Sequence, residues 1–212
     1  MEENVWSRAY KQDIVSVTEE TDSLPFLTFS KSDRVLDVGC GKGFLLERLA
    51  EKLGVECVGV DTVPAKPRNF AFVKAGAQNL PFRAGIFDVV YSLGVVEHLP
   101  CTEKAIYESH RVLKAEGQAL ITVPNRLSLH TFLDRPVRQL LGLWRIGLEK
   151  SYSLGEFCEL MAKTGYKRPR YELIPWNLQK GPIIFRIYAR LDNFLAKVFR
   201  HWGFFIAVSG SK

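Results

Sequence analysis

Several things are scarce in this chain, and each absence narrows what it can be. No uninterrupted apolar run approaches the ~20 residues that a helix needs to cross a bilayer, so no membrane-spanning helix is expected. The opening Met1-Glu2-Glu3-Asn4 is acidic and has no apolar core behind it, which argues against a signal peptide. Cysteine is sparse. Cys40, Cys57, Cys101 and Cys158 form no C-x-x-C pair, so a zinc ribbon or disulfide scaffold is not expected, and free thiols in a reducing cytoplasm are the simple reading. No internal repeat or low-complexity tract is present.

What remains is ordinary for a soluble globular protein: 212 residues, 47% apolar and 25% charged, enough for one α/β domain with a sizeable core. The net charge of +6 is uneven. Lys163, Lys167, Arg168, Arg170, Lys180, Arg186, Arg190, Lys197 and Arg200 gather in the C-terminal third. That suits a nucleic acid, an anionic membrane surface or an acidic substrate, or it is a solvated face.

The stretch from Val35 to Leu46 carries most information. Val35-Leu36-Asp37-Val38 reads as a strand buried on both faces, interrupted by one acid. Gly39, Gly41 and Gly43 then allow a tight turn and close approach of a ligand. Phe44, Leu45, Leu46 and Leu49 continue at helical spacing, so a ligand is expected to meet open backbone N–H groups at a helix start. The glycine order is Gly-x-Gly-x-Gly, not the Gly-x-Gly-x-x-Gly that seats a pyrophosphate. Asp37 would repel a diphosphate and attract an ammonium group. A second apolar strand, Glu56 to Val60, ends in Asp61, which can accept from two vicinal hydroxyls.

On these residues the chain resembles the class I S-adenosylmethionine (SAM) dependent methyltransferases, in particular their small-molecule, quinone and lipid-type group. Asn79-Leu80-Pro81-Phe82, Phe87 to Ser92, Gly94-Val95-Val96-Glu97-His98-Leu99 and Arg111 to Gly117 follow in the family's order. The resemblance implies that Asp37, Gly39, Cys40, Gly41 and Gly43 hold the methionine end of SAM. Asp61 with Thr62 takes the ribose. Ala77, Gln78, Asn79, Ser92 and Leu93 border the adenine and the reacting end. It also implies release of S-adenosylhomocysteine (SAH). Two departures stand out. Gly76 occupies the place of an acid beside the adenine. Gly94 replaces the first Glu of a Glu-x-x-Glu-His pattern that can hold a divalent ion, so a metal is not expected.

Methyl transfer needs alignment and exclusion of water, and a base only where the acceptor must lose a proton. His98 is the candidate base, with Glu97 beside it; alternatively the pair holds a helix start or strand end. His110, His130 and His201 have weaker claims. Trp6 and Tyr10, on a helix expected over 6–17, either cap the cofactor and acceptor or pack on the core.

The expected fold is a Rossmann-like three-layer α/β sandwich with a seven-stranded, mostly parallel sheet and an antiparallel last strand. Strands are expected at 34–38, 56–60, 70–73, 87–92, 118–123, 170–174 and 203–209. Helices are expected at 43–53, 102–113 and 153–165, with an inserted helical stretch over 128–148 interrupted by Pro136 and Gly142. One domain is expected, with an N-terminal cap (1–30), a cofactor core (31–124) and an acceptor side (125–212). Residues 182–202 read as a basic amphipathic helix broken near Asn193. It is either packed on its own domain, or a lid or membrane contact. The expected activity is methyl transfer to O or C of a small, apolar or lipid-like acceptor, in a cytoplasmic or membrane-peripheral protein. The rivals are a nucleic-acid or protein methyltransferase and a non-catalytic SAM-binding subunit. The missing Asn-Pro-Pro-Tyr type signature makes a nucleic-acid base the weaker acceptor.

Overall fold

The computed structural model describes residues 24, 26–63, 69–175 and 183–212. Trp6, Tyr10 and the expected 6–17 helix lie outside the described residues. Five runs with apolar centres, each carrying Val or Ile, form parallel strands: β1 (Arg34–Val38), β2 (Glu56–Asp61), β3 (Ala71–Lys74), β4 (Phe87–Leu93) and β5 (Leu113–Pro124). β6 (Lys167–Ile174) and β7 (Phe205–Ser211) complete a seven-stranded sheet of order β3-β2-β1-β4-β5-β7-β6. β7 is antiparallel to both of its neighbours, as expected of the last strand. From β1 the chain builds outward to β2 and β3, then returns to β4 on the other side. β1 and β4 therefore flank the switch point where such sheets bind ligands.

The central strands are buried because helices cover both faces. α1 (Phe44–Leu53) lays Leu45, Leu46 and Leu49 against Val35, Cys57, Val89 and Tyr91. α2 (Thr102–Val112) buries Ala105, Ile106 and Val112 against Leu36, Val58 and Val90 on the opposite face. Packing leaves no room for a side chain at Gly59 in β2. A Cβ there would lie 2.7 Å from Cys40 Sγ, 2.8 Å from Leu46 Cδ1 and 3.0 Å from Phe70 Cε2. Gly59→Ala is expected to destabilise the fold by about 1–3 kcal/mol, the usual cost of overpacking. Urea unfolding would show it, and an unchanged midpoint would mean that the contact relaxes freely.

Three expectations need correction. β5 begins at Leu113, five residues before the expected start; Phe87 pairs with Leu113 and the register shifts before Val89 pairs with Gln118. Lys114 to Gly117 is thus an irregular length of strand, held by Lys114 Nζ on Asp88 at 2.8 Å. Over 128–148, only a π-turn (His130–Asp134) and α3 (Arg135–Leu140) are helical. Pro136 sits in the first turn of α3, where its missing N–H costs nothing, and does not interrupt a helix. α4 (Leu154–Lys163) carries the capping box that Ser153 and Glu156 announce. Finally, α5 (Ile183–Val198) runs unbroken through Asn193. Asparagine's weak helix propensity, under ~0.7 kcal/mol, is overcome beside Asp192, whose Oδ1 accepts from Leu129 N at 2.6 Å and Trp202 Nε1 at 2.9 Å.

Candidate functional site

Asp37 and Asp61 end adjacent strands, β1 and β2, and both are buried. Burial pushes the Asp37 carboxyl up to about 8; the Tyr91 hydroxyl counters part of this, and Asp61 adds to it. Asp61 takes Gly41 N–H on Oδ2 at 2.8 Å and Val63 N–H on Oδ1 at 2.9 Å.

The glycine loop corrects one expectation. Its N–H groups do not await a ligand: Gly39 N and Cys40 N both donate to Val60 O, at 2.7 and 3.0 Å, and Gly43 N donates to Cys40 O at 2.9 Å. With Gly41 N on Asp61, the loop is a clasp onto β2, not an anion nest. The two buried carboxylates beside it suit a cation with vicinal hydroxyls better than a pyrophosphate. Gly39, at φ +86°, also lets the following segment pass closely: a Cβ there would meet Val95 Cγ2 at 2.3 Å.

The structure brings Cys40, Gly43, Ser92 and Leu93 to the same end of the sheet. Cys40 is buried and burial raises its thiol far above the ordinary range, so it is unreactive packing. Ser92 is fully buried and donates to Val38 O at 2.9 Å, tying β4 to β1. On the adjoining loops, Ala77 is buried, Thr62 and Asn79 are exposed, and Gln78 Nε2 donates to Cys101 O at 2.8 Å. The Gln78 amide therefore pins its loop below α2, while Gly76 has open space around it.

Glu97 and His98 form a 3₁₀ turn (Val96–His98) after β4. Glu97 is 1% exposed; its Oε2 has no hydrogen-bond partner, and burial, with Glu149 nearby, raises its carboxyl well above the ordinary range. His98 Nδ1 lies 2.6 Å from Leu148 O. A carbonyl only accepts, so Nδ1 carries the hydrogen and the neutral ring's Nε2 keeps its lone pair, an assignment made from the partners. Nε2 is 3.7 Å from Glu97 Oε1. Burial lowers the His98 pKa, against the pull of the Leu148 bond and Glu149, which favours this neutral form at pH 7.

One cluster escaped the sequence reading. His130, held to a weaker claim above, is buried with Nδ1 3.1 Å from Asp134 Oδ2 and Nε2 3.0 Å from Glu149 Oε1. Arg138 Nε reaches Asp134 Oδ1 at 2.8 Å, and Arg135 Nη1 reaches Glu149 Oε1 at 3.2 Å. The spacing His130, Asp134, Arg138 at i, i+4, i+8 was a visible signal.

A sheet with one antiparallel strand, a glycine clasp and two buried acids at its switch point are the features of the class I SAM-dependent methyltransferase fold. The sequence profile of a methyltransferase-domain family matches residues 13–194, and the chain belongs to that family. It is 34% identical over 104 residues to the chloroplastic tocopherol O-methyltransferase of Arabidopsis thaliana, covering 43% of this chain and 30% of that protein. It is 32% identical over 106 residues to a ubiquinone biosynthesis O-methyltransferase of Nitrosococcus oceani, covering 44% of each. The chain thus spans less than half the length of these curated relatives. In structure it is similar to a chain of a complex containing the Haloferax volcanii Trm112 methyltransferase activator, with TM-score 0.75, 17% identity, and 99% of this chain and 95% of that one covered. It is also similar to a SAM-dependent methyltransferase from Thermotoga maritima, with TM-score 0.65, 19% identity, and 99% and 91% covered.

Proposed function

We propose that the enzyme moves the SAM methyl group to an oxygen or carbon of a small, apolar or lipid-like acceptor met at an anionic membrane surface. In this reading Asp37 takes the cofactor's ammonium, Asp61 its ribose hydroxyls, and the loop at Ala77 to Asn79 its adenine. His98 Nε2 accepts the proton of an acceptor hydroxyl, and residues 125–212 form the acceptor side. When bound, SAM supplies the activated methyl; the chain aligns, desolvates and removes a proton.

The observation that carries the acceptor class is the orientation of α5. A helix on a globular protein normally turns its apolar stripe inward. Among the described side chains of this helix, Ala189 and Asp192 are buried, while Ile183, Ile187, Leu191, Phe194 and Val198 are 46% to 66% exposed. At about 100° per residue these five fall within one narrow arc, and Arg186, Arg190 and Lys197 lie along one flank of it. A greasy stripe edged with cations suits a helix lying in an anionic lipid surface. Phe199 is exposed too, as is Phe132, whose ring is 6.2 Å from that of Trp202. Among the described residues no helix is long and apolar enough to cross a membrane.

The test is co-sedimentation with vesicles of phosphatidylglycerol or phosphatidylcholine. The protein is expected to bind the anionic vesicles. Ile187→Glu and Phe194→Glu should each weaken that binding tenfold or more, since burying one large apolar side chain contributes roughly 1.5–3 kcal/mol. SAH affinity should not change. Absence of vesicle binding, or turnover only on RNA or protein acceptors, would overturn the reading.

A further inference from the structure

We infer that Glu149 is a positioning residue, held by His130 and Arg135, that sets the tautomer of His98 through the neighbouring Leu148 carbonyl. The inference rests on the proposed role of His98 as base.

The partner of His98 is carried on a weak support. Residues 141–151 have no helix or strand among them, so no ladder of backbone bonds fixes Leu148. Yet a base whose useful lone pair is on Nε2 requires a fixed acceptor at Nδ1. Three successive residues supply the missing support. Leu148 O takes His98 Nδ1–H. Lys150 N donates to Glu97 O at 3.1 Å, and its Nζ to Leu99 O and Pro100 O at 2.9 and 2.7 Å. Between them, Glu149 is directed to a separate group. Its Oε1 meets His130 Nε2 and Arg135 Nη1, and its backbone O takes a second bond from Arg135 Nη1 at 3.1 Å. Leu148 and Lys150 thus face the catalytic turn, and Glu149 anchors the segment to the π-turn and α3.

The anchor has the chemistry to be firm. Both His130 ring nitrogens face carboxylate oxygens, which needs a hydrogen on each and so an imidazolium. Burial opposes that charge, but the bonds to Asp134 and Glu149 outweigh it. Arg138 on Asp134, Arg135 on Glu149, and the Trp144 and Phe204 rings around His130 complete the surroundings, with Asp192 acting on it from α5. Buried charges that are mutually satisfied resist displacement, and removing one partner leaves the rest uncompensated. The same Glu149 carboxylate acts electrostatically on Glu97 and His98, so the anchor also biases the charge of the turn that it fixes.

The experiment is long-range ¹H–¹⁵N correlation NMR of the histidine side chains, on the full chain with SAH present, with the His98 signals identified by their loss in His98→Gln. The wild type should show His98 as a single Nδ1–H tautomer. In Glu149→Ala and Arg135→Gln that signature should give way to a mixture of tautomers. Lys150→Met, which keeps the Glu149 anchor, should retain most of it. SAH affinity should stay within about twofold throughout, which shows that the cofactor side is intact. Arg135→Gln keeps the His130–Glu149 bond and serves if Glu149→Ala does not fold. A tautomer mixture in the wild type, or an unchanged Nδ1–H signature in the folded variants, would overturn the inference. Full turnover by His98→Gln would overturn the base reading alone and leave the positioning result standing.

Discussion

Asp61→Ala is expected to weaken SAH binding by about ten- to a hundredfold. A charge-assisted hydrogen bond contributes about 1.5–3 kcal/mol, and each 1.4 kcal/mol is a factor of ten. The loss has two possible origins, because Asp61 holds the clasp as well as taking the ribose in the proposed reading: Gly41 N–H and Val63 N–H both rest on its carboxylate. A double-mutant cycle separates them. Titration calorimetry would compare SAH with its 2′-deoxy analogue on the wild type and on Asp61→Ala. If Asp61 binds the ribose directly, the deoxy analogue is weaker on the wild type and suffers no further penalty on the variant. If Asp61 acts only by holding Gly41 in place, the two losses add. Unchanged SAH affinity in Asp61→Ala would place the ribose contact elsewhere.

Much of the cofactor side was legible because it depends on short-range order. One apolar run per buried strand, a carboxylate at the end of two of them and a glycine turn after the first suffice to place Asp37, Asp61 and the loop. The direction of the loop's N–H groups was not legible. Gly39 N and Cys40 N donate to Val60 O and Gly41 N to Asp61, acceptors on the neighbouring strand that come within reach only when β1 and β2 pair. The apolar spacing of α5 was plain, but periodicity gives a stripe and not the direction in which it points. That direction is set by Asp192, a charged residue buried beneath the helix by its bonds to Leu129 N and Trp202 Nε1. His130 was discounted for the same reason. Its partner Asp134 is one helical turn away, but Glu149 reaches it through an irregular segment that no local pattern announces.

SAH affinity is also expected to rise with pH between about 6 and 8, by up to tenfold per unit. Burial raises the Asp37 carboxyl of the free protein to about 8, so at pH 7 it holds a proton. An ammonium group placed beside it favours the carboxylate, so binding expels that proton. Because the free protein binds the proton and the complex does not, raising the pH favours the complex until about 8. Beyond that the slope disappears, and it reverses where the ligand's own ammonium deprotonates. Calorimetry at pH 6.5 in two buffers of different ionisation enthalpy should count about one proton released per SAH bound, and the count should fade above pH 8. Folding responds with the opposite sign. The unfolded carboxyl titrates near 3.9, below its folded value. Asp37 therefore stabilises the free fold fully below about pH 4, and that contribution is lost as the pH rises through about 8. The rise in Tm on adding SAH should therefore be larger at pH 8 than at pH 6. Asp37→Asn removes the titrating group and should bind SAH more weakly at pH 8, with neither the pH slope nor the released proton. A wild-type affinity that is flat from pH 6 to 8, with no proton released, would mean that the ammonium is held by another group.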